Sequence, residues 1–358
     1  MQRLWCAAVA CERLLHVATV FGVAVALGVA RSGAVDATVY RFRRDNVAAF
    51  RLCALDGACA PVLRAWHDVP VSRGCLVVGR ASPGRSRIAL VTCRRQSEDA
   101  PMAAYSASKW VGAALIWRKA QSLELGFDVE AGEIDPLWGR PTEVSLRLSH
   151  LVGLSSGFAC DDLDHPTVLH PPGEVFDYCG ENFNFALRLL CGDGGDACFR
   201  AEVDAFVKRF GPGLTFDTAL FSEPRLDVSL SASAHSYARF LEALTNGSVV
   251  AEPVLQRMHR EFTPVMTSSR AHYVGYAQGN WRERGNVSSS IGTGGFVPWW
   301  NHDEGYFGVV AIDVLDEWVV GGPSLVAFLL AALLCLWLPC RALTPRTAPR
   351  SSRVRARS

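Results

Sequence analysis

The stretch YSASKWVGAALIW at residues 105–117 carries the spacing that decides both fold and chemistry. Ser106 and Lys109 are three positions apart, and the apolar residues after them predict a helix over residues 106–123. Positions i and i+3 share one face of a helix, so the hydroxyl and the amine can meet. Serine is a weak nucleophile until a neighbouring group takes its proton, and a desolvated lysine can do this. The stretch predicts a serine nucleophile, with an ordinary surface serine and lysine as the alternative.

Three further stretches follow in a fixed order and decide between these alternatives. They are VSLRLSHLVGLSSGF at residues 144–158, PGEVFDYCGEN at 172–182 and SIGTGGF at 290–296. Together with Ser-x-x-Lys, this series resembles the serine β-lactamase and penicillin-binding-protein superfamily, in particular its class C-like branch of esterases, peptidases and lactamases. The resemblance covers roughly residues 70 to 315.

The pattern of elements predicts an α+β fold. Residues 75–93 form two strands around the turn Ser82-Pro83-Gly84, and residues 307–312 form another strand. Helical patterns occupy the middle of the chain, and the glycine-rich residues 191–198 are predicted to form a loop. We therefore expect a β-lactamase-like antiparallel sheet flanked by helices, with an inserted, mostly helical lobe and the nucleophile in the cleft between them. The helical patterns lie at residues 146–154, 182–190, 202–209 and 233–244.

The resemblance assigns roles to individual residues. Ser106 is the nucleophile, Lys109 is either the base or the cation beside it, and Tyr178 faces this pair as the second candidate base. A tyrosine needs nearby positive charge to act as a base, which Lys109 supplies. The backbone amides of Ser106 and Thr293 are the expected oxyanion donors, and Ser290 and Gly292 belong to the same substrate-binding strand.

The chain departs from the pattern of the resembled family at two positions. Gly180 stands where that family has asparagine, and Ser290 stands where it has lysine or histidine. Both positions contact substrate in that family, so the changes argue against a true β-lactamase. We expect a serine hydrolase acting on an ester, amide or peptide. The alternative is a catalytically inactive ectodomain that binds or scaffolds.

Neither a cofactor nor a metal is expected. The acidic residues 160–165 with His170 lack any familiar zinc spacing, and a solvated loop explains them better. The net charge of +1 gives no nucleic-acid signature. The expected partners are a small-molecule or peptide substrate and a membrane.

The two ends of the chain predict its topology. Residues 1–34 indicate a signal peptide or an uncleaved signal anchor, and residues 35–317 form the lumenal or extracellular domain. Residues 318–340 carry no charge and predict a transmembrane helix, with a buried core helix as the alternative. Residues 341–358 contain six arginines and no acid, which indicates a cytosolic tail.

The cysteines agree with a secretory location. Eight of the twelve lie between the two terminal apolar segments, and an even number in an oxidising compartment indicates disulfides. Pairing neighbours in sequence is the simplest of the many possible connectivities: Cys53–Cys59, Cys75–Cys93, Cys160–Cys179 and Cys191–Cys198. The sequons at Asn246 and Asn286 are candidate glycosylation sites.

Overall fold

The computed structural model describes residues 39–69, 71, 73–135, 145–160, 167–218, 221, 223–260, 263–264 and 273–312. The predicted signal segment, transmembrane helix and basic tail lie outside these residues. Within them, no helix is both long enough and apolar enough to cross a membrane.

The centre of the fold is an antiparallel sheet. Its strands, with those of a smaller sheet, are β1 (Gly74–Arg80), β2 (Arg87–Arg94), β3 (Met102–Ala103), β4 (Leu214–Phe216), β5 (Leu230–Ala232), β6 (Thr263–Pro264), β7 (Tyr273–Tyr276), β8 (Trp281–Glu283), β9 (Val287–Ser289), β10 (Phe296–Asn301) and β11 (Tyr306–Ile312). Eight strands of the described residues pair in the order β2-β1-β11-β10-β9-β8-β7-β6, and the smaller sheet has the order β3-β5-β4. The predicted hairpin at residues 75–93 is β1 and β2, and the predicted strand at 307–312 is β11.

Helices surround this sheet, and the predicted α+β class is confirmed. The α-helices are α1 (Val47–Asp56), α2 (Ala60–Asp68), α3 (Ser108–Ser122), α4 (Ala131–Ile134), α5 (Leu148–Val152), α6 (Glu181–Cys191), α7 (Gly195–Val207), α8 (Ala234–Thr245) and α9 (Glu252–Arg260). A helical stretch at residues 39–45 precedes α1.

Helices α1 and α8 cover opposite faces of the sheet. Phe50 of α1 contacts Trp299, whereas Tyr237 of α8 contacts Phe296. Side chains alternate along a strand, so Phe296 and Trp299 of β10 point to opposite faces. The sheet is therefore buried on both sides, which explains why its central strands β1, β10 and β11 are almost entirely apolar and buried.

The nucleophile helix α3 is the core of the helical lobe. Its residues 110–117 are all buried, and α3 packs against α6 and α7. The prediction of a loop at residues 191–198 was wrong, because a 3₁₀ turn at Gly192–Gly194 leads directly into α7 at Gly195. The glycines provide the positive φ angles of the sharp turn between the two helices.

All four predicted disulfides are present. Cys53–Cys59 joins α1 to α2, Cys75–Cys93 joins β1 to β2, and Cys191–Cys198 joins α6 to α7. The fourth, Cys160–Cys179, fixes the segment that carries Tyr178. Sequence-local pairing was the right choice because each pair connects neighbouring elements.

A polar cluster is buried between α3 and the sheet. Nδ1 of His259 and Nε2 of His302 lie 3.1 and 2.9 Å from Oγ of Ser288. The His259 ring also contacts Trp110 of α3, with centroids 5.9 Å apart. Burial and then the nearby Arg282 lower the pKa of His302 to about 3, and burial lowers the pKa of His259 well below its usual value. Both imidazoles are therefore neutral in the folded protein at ordinary pH.

We expect this cluster to make the fold sensitive to acid. Below about pH 6.5 the unfolded chain protonates both imidazoles, whereas folded His302 stays neutral until the pH approaches 3. The neutral imidazoles therefore contribute their full stabilisation above about pH 6.5, and the His302 contribution is lost as the pH falls from about 6.5 toward 3. The thermal unfolding midpoint should drop between pH 7 and pH 5, and it should drop less in His302→Gln, which cannot take a proton. The same slope in the variant as in the unmodified chain would contradict this.

Candidate active site

Ser106 lies where a tight turn becomes helix α3. A 3₁₀ turn at Tyr105–Ala107 runs directly into the helix, and Ser106 is half-buried. Tyr105 has φ 45°, a conformation that side chains rarely adopt. Strained residues of this kind persist only where surrounding contacts hold them, and they often accompany functional sites. The turn therefore presents Ser106 at the N-terminal end of a buried helix.

Buried hydrogen bonds hold this turn in place. The hydroxyl of Ser108 donates to the carbonyl of Tyr105 and accepts from the backbone N–H of Leu230, at 3.0 Å, in β5. The hydroxyl of Tyr237 donates to the carbonyl of Ala107 at 2.8 Å. The position of Ser106 is thus set by the second sheet and by α8 together.

The structure brings Ser106 and Lys109 together. Nζ of Lys109 donates to Oγ of Ser106 at 3.4 Å. Lys109 is only 3% exposed, and its amine also donates to the backbone carbonyl of Asp227 at 2.9 Å. A buried amine is costly unless it has such acceptors. Two of the three predicted catalytic side chains are thus in contact.

Tyr178 is joined to the pair through Lys109. Nζ of Lys109 lies 4.6 Å from the centroid of the Tyr178 ring, a cation–π contact. The ring is stacked on Trp281, with centroids 5.7 Å apart, and it is 40% exposed. No hydrogen bond joins Tyr178 to Ser106, and within the described part of the chain the Tyr178 hydroxyl has no hydrogen-bonding partner. The ring is held in place, and its hydroxyl is free to meet a substrate.

Ser290 supports the turn from behind. Its hydroxyl lies 3.1 Å from the carbonyl of Ser106 and 3.2 Å from the carbonyl of Gly279, and the residue is only 2% exposed. Because the Ser290 hydroxyl bonds to backbone carbonyls, its placement favours a role in supporting the main chain over direct contact with a substrate.

Glycines bring the third-motif segment close to the nucleophile turn. A Cβ at Gly292 would lie 2.0 Å from the carbonyl oxygen of Ala104, and one at Gly294 would lie 2.6 Å from the Tyr105 ring. The absence of side chains at these two positions therefore makes room for the chain next to Ser106. Thr293 between them is exposed, and its backbone N–H donates to none of the described residues. That amide is available to an oxyanion.

His150, from the second motif, has a supporting position. Its Nδ1 accepts a hydrogen bond from the backbone N–H of Arg147 at 3.2 Å. Burial, followed by the charge of Arg147, lowers the pKa of His150 to about 4. A cavity of about 180 Å³ is lined by His150 and by Tyr276, whose ring contacts Tyr178.

Sequence reasoning missed Asp227 and Arg225. A carboxylate oxygen of Asp227 lies 3.9 Å from Nζ of Lys109, and Nε of Arg225 donates to the other at 3.0 Å. Neither residue belongs to a recognisable motif. The one signal in the sequence was indirect: Gly180 lacks the side chain that the resembled family has at this position.

Two clusters of potential metal-ligating residues converge in the described part of the chain. In the first, Cys160 and Cys179 lie beside Glu181, but their sulfurs are joined in a disulfide. The second consists of Glu98, Asp99 and His235 at the surface, where Nδ1 of His235 lies 3.3 Å from a carboxylate oxygen of Asp99. Residues 161–166 of the predicted acidic loop lie outside the described residues.

Solved structures with the same fold are known. A protein of Bacteroides dorei described as a putative β-lactamase is 20% identical, with a TM-score of 0.55 over 71% of this chain and 89% of that one. A β-lactamase of Mycobacterium bovis is 15% identical, with a TM-score of 0.53 over 70% and 90%. The D-amino acid amidase of Ochrobactrum anthropi, in complex with L-phenylalanine amide, is 13% identical, with a TM-score of 0.51 over 75% and 91%.

The chain therefore has the fold of the serine β-lactamase and penicillin-binding-protein-like hydrolases. No protein-family model matches its sequence, and no curated protein matches it either. At these identities the likeness concerns the fold, and the chemistry has to be argued from the side chains.

Proposed function

We propose that this protein is a serine hydrolase that acts through an acyl-enzyme on an ester, amide or peptide. The observation that carries the proposal is the 3.4 Å contact between Oγ of Ser106 and Nζ of the buried Lys109, at the start of a helix. The fold supports it, because β-lactamases and an amidase share this arrangement of sheet and helices.

The proposed first step is acylation of Ser106. Its oxygen attacks the carbonyl carbon of the substrate while its proton passes to the side-chain oxygen of Tyr178, which acts as the base. Lys109 holds the two residues in place, since Nζ contacts Oγ of Ser106 and lies over the Tyr178 ring. The tetrahedral oxyanion is stabilised by the backbone amides of Ser106 and Thr293. As the bond to the leaving group breaks, Tyr178 returns the proton to that group.

The second step releases the acyl group. Tyr178 takes a proton from a water molecule, whose oxygen attacks the acyl carbon. The bond to Ser106 breaks, and the proton returns to the Ser106 oxygen. The products are a carboxylic acid and the free enzyme, and no cofactor is consumed.

The charges around the site favour substrates without a carboxylate. Lys109 is already paired with Asp227, and Ser290 replaces the lysine or histidine of the resembled family. A substrate carboxylate near the scissile bond would thus be repelled by the Asp227 carboxylate, and Lys109 is already paired with Asp227. Neutral esters and amides fit this site better than β-lactams.

Substrate choice tests the proposal directly. The purified domain should hydrolyse p-nitrophenyl acetate well above the uncatalysed rate and should hydrolyse the anionic cephalosporin nitrocefin at least about tenfold less efficiently, as kcat/KM. Faster turnover of nitrocefin would contradict the assigned substrate class. No turnover of either substrate would favour the inactive ectodomain.

We further propose that the domain is tethered to a membrane, on its lumenal or extracellular side. The uncharged residues 318–340 and the arginines that follow them support this, as do the four disulfides. External protease added to intact cells should digest the domain and spare a tag at the C-terminus. A tag that is reached by antibody without permeabilisation would contradict this topology.

A further inference from the structure

Position 180 has no side chain for a steric reason. Gly180 has φ −68° and ψ −28°, which any residue adopts, so the backbone does not demand glycine. A Cβ at this position would lie 2.0 Å from Oδ2 of Asp227, far inside contact distance. The Asp227 carboxylate therefore fills the space that a side chain at position 180 would need.

Asp227 contacts Lys109 at two points. Its backbone carbonyl accepts from Nζ at 2.9 Å, and its Oδ2 lies 3.9 Å from the same nitrogen. Asp227 is only 7% exposed, so water screens this pair weakly. The carbonyl and the carboxylate of one residue therefore both help to fix the place of the Lys109 amine.

The loop that carries Asp227 is fixed to helix α6. Arg225 donates to Asp227 at 3.0 Å and to Glu181 of α6 at 2.6 Å. The side-chain oxygen of Asn184, one turn along α6, accepts from the backbone N–H of Leu226 at 2.9 Å. The carboxylate is therefore held at a defined place before any substrate arrives.

We propose that Asp227 is a positioning residue that takes the place of the side chain missing at Gly180 and holds the Lys109 amine against Ser106. Its catalytic consequence rests on the proposed function, because Lys109 contacts both the nucleophile Ser106 and the ring of Tyr178. Its contact with Lys109 does not depend on catalysis and can be tested separately.

The first test is Asp227→Asn, which keeps the shape and removes the charge. We expect Lys109 to react about tenfold faster with acetic anhydride at pH 8, measured by peptide mass spectrometry, because the buried amine loses its carboxylate partner and is held less firmly in place. Glu223→Gln is the matched control: it lies in the same loop, pairs with Arg188 and should leave the rate unchanged. In ester hydrolysis, kcat should fall about tenfold in Asp227→Asn while KM stays within about twofold, because the amine no longer holds Ser106 in place. An unchanged acetylation rate in Asp227→Asn would overturn the proposal.

The second test uses the steric link between the two positions. Gly180→Ala should lower the thermal unfolding midpoint by several degrees, and the same change should cost little in an Asp227→Gly background, where the space is free. Equal losses in both backgrounds would overturn the proposal. If the unmodified chain hydrolyses no ester while both tests succeed, the proposed function fails and the positioning of Lys109 by Asp227 stands.

Discussion

Replacing Ser106 by alanine is expected to lower kcat for p-nitrophenyl acetate by about 10⁴–10⁶-fold, to near the uncatalysed rate. The reason is that Oγ of Ser106 is the atom that forms the covalent bond. Since Ser106 is half-buried and its hydroxyl contacts Lys109 alone among the described side chains, its loss should barely affect folding. A fall in kcat, measured by steady-state kinetics, together with an unchanged thermal unfolding midpoint would show that Ser106→Ala removes the reaction step and leaves the fold intact.

Lys109→Ala should cost about as much as Ser106→Ala, and the double variant should be no slower than either. Residues that act as one unit give losses that do not add. Tyr178→Phe should cost less, about 10²–10⁴-fold, because it removes a proton carrier and keeps the ring over Lys109. Losses that multiply in the double variant would mean that the two residues do not act together.

Lys119→Ala is the control for this series. Lys119 lies on the same helix and pairs with Glu202, away from Ser106. It tests whether loss of any lysine from α3 disturbs the site through the helix. Activity within about twofold of the unmodified chain is expected, since a partly exposed ion pair of this kind contributes about 1 kcal/mol or less.

Cys75→Ser should destabilise the fold by about 3 kcal/mol, within the range for loss of a native disulfide. Cys75 and Cys93 are paired residues of β1 and β2, and Cys75 is fully buried in the central sheet. Removing the bond frees the unfolded chain, which then loses more conformational entropy on folding. Urea unfolding of the purified domain measures the difference, and secretion should fall with it.

The variant Cys53→Ser/Cys59→Ser provides the comparison. This disulfide closes a shorter loop, with a sequence separation of 6 against 18, so its removal should cost less. A larger loss of unfolding free energy from removing this disulfide than from Cys75→Ser would contradict the argument from loop length.

The sequence predicted most of the architecture because the relevant signals are local. The hairpin β1–β2 shows two apolar runs around a Ser-Pro-Gly turn, and α3 shows a long apolar stretch after Ser106. Neighbouring cysteines paired because each pair spans adjacent elements. The failure at residues 191–198 has a physical cause: glycines usually mark loops, but here they make one sharp turn and the disulfide anchors the first turn of α7.

The candidate site was only partly predictable, since its decisive contacts join distant parts of the chain. Asp227 reaches Lys109 across 118 positions, and no motif marks it. The burial of Ser290 and the packing of Gly292 on Ala104 depend on how the third-motif segment meets the nucleophile turn. Spacing along the chain identifies the residue types a reaction needs, but only the folded chain shows which of them face the cleft.

The most direct test of the central claim is to find where a covalent inhibitor attaches. The domain should be incubated with a fluorophosphonate, digested, and mapped by mass spectrometry, with Ser106→Ala treated in parallel. We expect one adduct per chain, on the peptide that contains Ser106, and none in the variant. An adduct on another residue that persists in Ser106→Ala, or no adduct in the unmodified chain, would contradict a Ser106 acyl-enzyme.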